Sequence, residues 1–113
     1  MKKDDRIYLD HILDSFVKVG QYLEDVSYEA FQEDEEKQDA IIRKIEVAGE
    51  ATKCLSIEFR EKYFQVPWRA IAGMRDKLIH DYFDVDLDTV WETATKDIPG
   101  LILEIESIIE ELK

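Results

Sequence analysis

The chain has 113 residues, of which 45% are hydrophobic and 37% are charged. With only four Gly and two Pro, this composition favours one soluble, helical domain over residues 1–113 and argues against a disordered chain or a many-stranded protein. The formal net charge of −12 argues against a general nucleic-acid binder. Because no signal peptide and no apolar run of about 20 residues is recognisable, we expect a cytoplasmic protein.

Apolar spacing and capping residues predict the first two long helices. A helix over about residues 5–26 is predicted because apolar residues recur there every three or four positions, at Tyr8, Ile12, Phe16, Val19, Leu23 and Val26. Ser27 can cap a short turn, and the acidic stretch after it is typical of the start of a second helix over about residues 35–62. Gly49 lies inside that helix, where it indicates either simple tolerance of a glycine or close approach of another helix.

Proline and aspartate residues mark the elements of the second half. Pro67 fits the first position of a third helix, which we expect to run from about residue 68 to residue 80 or 82. Asp86 can cap a fourth helix, and Pro99 predicts a kink or a division in the last helical segment. The sum is an all-α, up-and-down bundle of four main helices with a kinked or extra C-terminal helix.

The third predicted helix carries a dense set of polar residues around Arg75. Residues 60–80 contain five basic and two acidic side chains, which either form an island that can meet a phosphate or are simply solvated. Arg75 and His80 are about 140° apart on an ideal helix. They converge only if the helix unwinds near His80 or if a second protomer supplies its own pair. Asp76, four residues before His80, is placed to orient the imidazole.

The residue types leave few other chemistries open. Two His and one Cys do not form a zinc signature, and the sequence contains neither a P-loop nor a strand-bound dinucleotide-binding glycine motif. A purely structural role also remains open at this point. In that interpretation Arg75 pairs with a helical Glu, His80 stabilises a helix end, and Tyr82 packs in the core.

Three segments of the chain resemble one known family. VPWRAIAGMRDKLIHDYFDVD contains an arginine, four residues, a histidine, one residue and a tyrosine, which are Arg75, His80 and Tyr82. This pattern closely resembles the HepT-like toxins of the HEPN superfamily. IIRKIEVAGEATKCLS resembles the second helix of that family, and VWETATKDIPGL resembles its closing segment. The three blocks occur in the family's order and cover most of the chain. Many relatives have Asn after the motif arginine, where this chain has Asp76.

The resemblance implies a HEPN-like homodimer in which the motifs of two protomers share a cleft. It implies cleavage of RNA without a metal or another cofactor, in which a 2′-hydroxyl attacks the adjacent phosphate and leaves 2′,3′-cyclic phosphate and 5′-hydroxyl ends. Arg75 would stabilise charge on the phosphate, and His80 would act as general acid or base. Asp76 and Glu50 are the expected supporting residues.

The resemblance also implies a partner. The family members are toxins of type II toxin–antitoxin systems, and their cognate minimal nucleotidyltransferase antitoxin attaches AMP to the motif tyrosine, here Tyr82. A bulky anion two residues from His80 would block the cleft and repel RNA. The alternative function is a non-catalytic HEPN subunit that binds or regulates a nucleotidyltransferase. The acidic net charge and Asp76 favour that alternative, whereas the intact Arg75, His80 and Tyr82 set favours the ribonuclease.

Overall fold

Within residues 1–81 and 83–113, which the computed structural model describes, the chain forms eight α-helices and one short hairpin. In chain order the helices are α1 (Asp5–Tyr22), α2 (Tyr28–Gln32), α3 (Glu35–Cys54), α4 (Ile57–Lys62), α5 (Trp68–Ala72), α6 (Met74–Leu78), α7 (Leu87–Glu92) and α8 (Ile98–Leu112). The antiparallel strands β1 (Ile79–Asp81) and β2 (Asp84–Val85) lie between α6 and α7. The predicted all-α class is confirmed. None of the described helices is both long and apolar enough to cross a membrane.

The helices α1 and α3 pack along each other, and α8 packs against α1. Each contributes one apolar face to a shared core, in which Phe16, Ile45 and Ile105 are fully buried. Burial of side chains of this size stabilises the fold by roughly 1.5–3 kcal/mol each. On α1, Ile12, Phe16 and Val19 of the predicted apolar face are buried, but the helix ends at Tyr22, so the predicted end near Val26 was wrong. Ser27 caps α2 as predicted by accepting a hydrogen bond from the N–H of Ala30.

The predicted second helix is divided into α3 and α4 at Ser56. The N–H and the hydroxyl of Ser56 both donate to the buried carboxylate of Asp5, each over 2.7 Å. Because Asp5 takes the Ser56 N–H, this N–H does not continue the hydrogen-bond ladder of α3 to the carbonyl of Thr52. The Ser56 hydroxyl oxygen then accepts from the N–H of Phe59 over 3.1 Å and caps α4. The expectation of one continuous helix over residues 35–62 was therefore wrong.

The C-terminal segment is interrupted, as Pro99 predicted. A single π-helical turn (Thr93–Asp97) joins α7 to α8, and Pro99 lies in the first turn of α8. Proline is tolerated there because its missing N–H is one that the start of a helix leaves free. At the other end of α7, Asp86 is the predicted cap and accepts a hydrogen bond from the N–H of Thr89 over 3.0 Å.

Candidate functional site around Arg75 and His80

The segment that carries Arg75 and His80 is not the single helix that the sequence predicted. The helix is divided at Gly73, and α6 ends at Leu78, so that His80 lies on β1. The N–H of Asp86 donates to the Leu78 carbonyl over 2.8 Å and joins the end of α6 to the chain after β2. The expected helix to residue 80 or 82 was wrong. The chain unwinds before His80, so the 140° separation of an ideal helix does not apply.

Arg75 lies against the carboxylate of Glu46 on α3. Its Nε atom is 3.5 Å from Glu46 Oε2, and its Nη1 atom is 3.7 Å from Asp76 Oδ1. Nε is shielded from solvent and forms no hydrogen bond with any described residue, so the carboxylates balance the charge through ion pairs. The side chain is 39% exposed. The guanidinium is thus anchored on its inner side and can still receive an anion from outside.

Gly49 explains why α3 comes so close to Arg75. A Cβ atom on Gly49 would lie 3.2 Å from the carbonyl oxygens of both Ile71 and Ala72. Glu46 precedes Gly49 by about one turn, and Arg75 follows Ala72 by about one turn. The close approach of α3 to the end of α5 at Gly49 is accompanied by the contact of Glu46 with Arg75 at the start of α6. Of the two explanations for Gly49, close approach of another helix is confirmed.

His80 is exposed on β1. The pKa of Asp86 is lowered, mainly by hydrogen bonds from Thr89 and more weakly by the charge of His80. The carboxylate of Asp76, which was expected to orient His80, lies instead beside Arg75. The carboxylate of Asp86 thus lies within range of the charge of His80.

Of the remaining predicted residues, Glu50 is described and Tyr82 is not. Glu50 is exposed on α3 and forms an ion pair with Lys53 over 3.2 Å. It shares with Glu46 and Arg43 the wall of an open groove of about 530 Å³ between α1 and α3. Tyr82, the predicted site of AMP attachment, lies outside the described residues. Glu46 was not among the residues predicted from the sequence; its position one turn before Gly49 is the signal that could have found it.

The five basic side chains between residues 60 and 80 lie on α4, α5 and α6. Lys62, Arg69 and Lys77 are exposed there, and Arg60 and Arg75 are half-buried. These cations belong to the same three short helices that lead to His80, in a chain whose formal net charge is −12. Among the side chains that the structure describes, no group of three or more His, Cys, Asp or Glu residues is placed to hold a metal ion.

Comparison with known proteins gives one consistent family. The sequence profile described as "Ribonuclease HepT-like" matches residues 12–108. The chain is 51% identical over 112 residues to "Gamma-glutamylcyclotransferase and putative RNase MJ0434" of Methanocaldococcus jannaschii; the match covers 99% of this chain and 50% of that protein. It is 44% identical to "Putative RNase TTE0752" of Caldanaerobacter subterraneus, covering 98% of this chain and 99% of that protein.

A third relative carries the family's name. The chain is 37% identical over 108 residues to "Probable ribonuclease HepT" of Thermococcus cleftensis, and the match covers 96% of this chain and 98% of that protein. No solved structure matches the chain. The chain thus spans half the length of the Methanocaldococcus relative and almost the whole length of the other two.

Proposed function

The chain belongs to the ribonuclease HepT-like family, and on that premise we propose that it is a metal-independent endoribonuclease and the toxin of a type II toxin–antitoxin pair. The observation that supports this most directly is that Arg75 is both in contact with a carboxylate and partly exposed. Its guanidinium lies against Glu46 at Nε, its side chain is 39% exposed, and the exposed His80 follows five residues further along the chain. A fixed, always-charged fork and an exposed imidazole on the same short segment are the two groups that the proposed reaction of a phosphate requires.

In the proposed reaction the RNA supplies its own nucleophile. The 2′-hydroxyl attacks the adjacent phosphorus, the bond to the 5′-oxygen breaks, and the products carry a 2′,3′-cyclic phosphate and a 5′-hydroxyl. One proton must leave the 2′-hydroxyl and one must reach the 5′-oxygen, and His80 carries out one of these transfers as general base or acid. Arg75 stabilises the charge that builds up on the phosphate oxygens in the transition state.

We propose that a second copy of the chain completes the site. A single protomer offers one Arg75 and one exposed His80, whereas the reaction has two proton transfers and benefits from exclusion of water. A two-fold axis would place two equivalent pairs across one cleft. Sedimentation at micromolar concentration should show a dimer, and a monomer that cleaves RNA at full rate would contradict the shared site.

The cleavage experiment tests the function itself. The purified protein should cut RNA in the presence of EDTA and leave cyclic phosphate ends. Arg75→Ala and His80→Ala should each lower the rate by roughly 10²–10⁴-fold, with an unchanged helical circular-dichroism spectrum. Arg6→Ala is the matched control, because Arg6 lies on α1 in an ion pair with Asp10. Loss of cleavage with EDTA, or full activity of the His80 variant, would refute the mechanism.

One observation favours the alternative function, a non-catalytic subunit that binds or regulates a nucleotidyltransferase. The Asp76 carboxylate lies 3.7 Å from Arg75 Nη1, where it competes with a phosphate for that nitrogen. If this subunit only binds its partner, the protein will form a stable complex with the nucleotidyltransferase and cut no RNA. Replacing Asp76 with Asn will then leave the complex intact and create no activity.

Neutralisation by the cognate minimal nucleotidyltransferase is part of the same proposal. Its support is the pattern that places Tyr82 two residues after His80. With ATP and the partner, intact-mass spectrometry should show additions of AMP mass on the wild-type chain and none on Tyr82→Phe, which should stay active. Equal labelling of both proteins would place the modified residue elsewhere, and no labelling of the wild type would favour inhibition by binding alone.

A further inference from the structure

The carboxylate of Glu46 is shared by two arginines. Its Oε1 atom lies 2.6 Å from Arg43 Nη1, and its Oε2 atom lies 3.5 Å from Arg75 Nε. Each carboxylate oxygen therefore faces a different guanidinium. The side chain of Glu46 is 33% exposed, whereas that of Arg43 is 69% exposed and lines the groove between α1 and α3. Arg43 lies at the open groove, Arg75 lies at the candidate site, and Glu46 contacts both arginines.

We propose that Glu46 is the positioning residue of Arg75 and that Arg43 holds Glu46 in the orientation which this role requires. The inference rests on the proposed ribonuclease function. The ion pair with Glu46 at Nε restricts rotation of the planar guanidinium, and a phosphate can use the terminal nitrogens once it displaces the exposed Asp76 carboxylate from Nη1. The bond from Arg43 to Oε1 fixes the plane of the carboxylate, so that Oε2 stays turned toward Arg75. Neither Glu46 nor Arg43 needs to touch the RNA for this purpose.

This role predicts opposite effects on substrate binding and on the chemical step. The negative charge of Glu46 partly masks Arg75, so its removal should leave the binding of RNA unchanged or make it tighter. The same change releases the guanidinium from its orientation, which weakens the stabilisation of the transition state. A merely structural glutamate would lower the apparent kcat through partial unfolding and would lower the melting temperature with it, whereas loss of orientation lowers kcat in a protein that melts like the wild type.

The stability of the fold should depend little on this pair. Ion pairs between exposed side chains stabilise proteins only weakly, and Arg43 is largely exposed. Variants at these positions are therefore expected to fold, which thermal melting and circular dichroism verify in parallel. If a variant keeps the wild-type melting temperature but is less active, its fold is intact and the Arg75 guanidinium has lost its orientation.

The first experiment measures kcat and KM of RNA cleavage. For Glu46→Gln, kcat should fall by roughly 10- to 100-fold, and KM should stay constant or fall. Arg43→Ala should shift kcat in the same direction by a smaller factor. Glu106→Gln, at an exposed position of α8, is the matched control and should retain the wild-type values. An unchanged kcat in the Glu46 variant, or a rise in KM without a fall in kcat, overturns the proposal.

The second experiment reads the position of Arg75 without any catalysis. In the wild-type protein, NMR should detect the Arg75 Nε–H as a slowly exchanging proton, because Nε is shielded from solvent. Glu46→Gln should broaden or shift this signal, and Glu106→Gln should not. If the wild type cuts no RNA, the proposed function fails, and this signal alone decides the role of Glu46. An identical Arg75 signal in wild type and Glu46→Gln overturns the positioning role in either case.

Discussion

The frame of α1, α3 and α8 differs from the segment between α5 and β2 in how its backbone is supported. The three frame helices have 18, 20 and 15 residues, so most of their backbone groups bond within the same helix. In the other segment, α5 and α6 have five residues each, and the two strands have three and two. Helices of five residues are not stable by themselves in water.

The segment between α5 and β2 is therefore stabilised by contacts with other parts of the chain. Gly49 of α3 lies against the backbone of α5, Glu46 of α3 faces Arg75, and Asp86 binds the Leu78 carbonyl at the end of α6. The comparison teaches that the long core helices and the candidate site lie in different parts of this molecule and that α3 contacts both. Substitutions in the frame, at the connection and in the segment should consequently have different signatures.

The largest effect is expected in the frame. Phe16 is fully buried on α1, and Phe16→Ala should lower the free energy of unfolding by about 3–5 kcal/mol through lost burial and the cavity that remains. Phe64→Ala is the control, because Phe64 is 81% exposed and its removal should cost less than about 0.5 kcal/mol. Urea denaturation measures both. Below the unfolding transition, the Phe16 variant should cleave RNA at the wild-type rate, and a specific loss of kcat would break the separation of the two regions.

A second test concerns the frame's response to acid. Burial raises the pKa of Asp5, but the hydrogen bonds from Ser56 and the Lys2 N–H outweigh it and hold the pKa below the ordinary value of 3.8. The folded state thus binds this proton less readily than the unfolded state does. The stabilisation is complete above that ordinary value and is lost as the pH falls through the lower folded pKa.

Asp5→Asn should remove this acid-sensitive contribution. At neutral pH the variant should be less stable by about 1.5–3 kcal/mol, the range for hydrogen bonds to a charged group. Its stability should also depend less on pH below the ordinary Asp value. Asp4→Asn is the control, since the Asp4 side chain makes no capping hydrogen bond to α1. Urea denaturation across the acid range measures both variants, and parallel pH curves for Asp5→Asn and wild type would contradict the assignment.

Gly49→Ala tests the connection between the two regions. Its Cβ atom would lie 3.2 Å from two backbone carbonyl oxygens, and the strain should cost about 1–3 kcal/mol. Because the same contact brings Glu46 to Arg75, kcat should fall in the folded variant as well. Gly100→Ala is the control: its Cβ would meet no atom within 4 Å, so better helix propensity should stabilise α8 by about 0.5–1 kcal/mol. Stability loss with full activity would show that α3 does not align the site.

The difference between the regions also explains which predictions succeeded. The periodicity of α1 and the caps at Ser27 and Asp86 depend on residues within a few positions, so they were predicted correctly. The break at Ser56 depends on Asp5, which is 51 residues away, and no local pattern indicates it. Local spacing likewise extended the third helix past Leu78, because the bond from the Asp86 N–H comes from beyond the hairpin.

In the candidate site, too, local patterns were predictable from the sequence and long-range contacts were not. The spacing of Arg75 and His80 is a local pattern, and it was enough to name both residues. Glu46 is 29 positions before Arg75, and only the glycine contact between α3 and α5 brings the two together. Arg75 and His80 were thus recognisable as candidates from the sequence, whereas the contact between Glu46 and Arg75 depends on tertiary packing.

The smallest effect is expected for the substitution Asp76→Asn in the candidate site. Asp76 is 81% exposed, and its Oδ1 atom lies 3.7 Å from Arg75 Nη1, so it attracts the same nitrogen that a phosphate would use. Asp76→Asn removes this competing charge and leaves Glu46 on Nε. Because an exposed ion pair is weak, KM for RNA should fall only about two- to five-fold, and kcat should change little.

Two comparisons identify the cause of that change in KM. Asp97→Asn alters the net charge by the same amount at an exposed position of the turn before α8, and it should leave KM almost unchanged. The advantage of Asp76→Asn should also shrink as salt screens the exposed charges. Steady-state cleavage at low and high ionic strength measures both effects. If KM rises instead, Asp76 makes a favourable contact with the RNA, such as accepting a hydrogen bond from a hydroxyl, and the site tolerates its carboxylate because the substrate uses it.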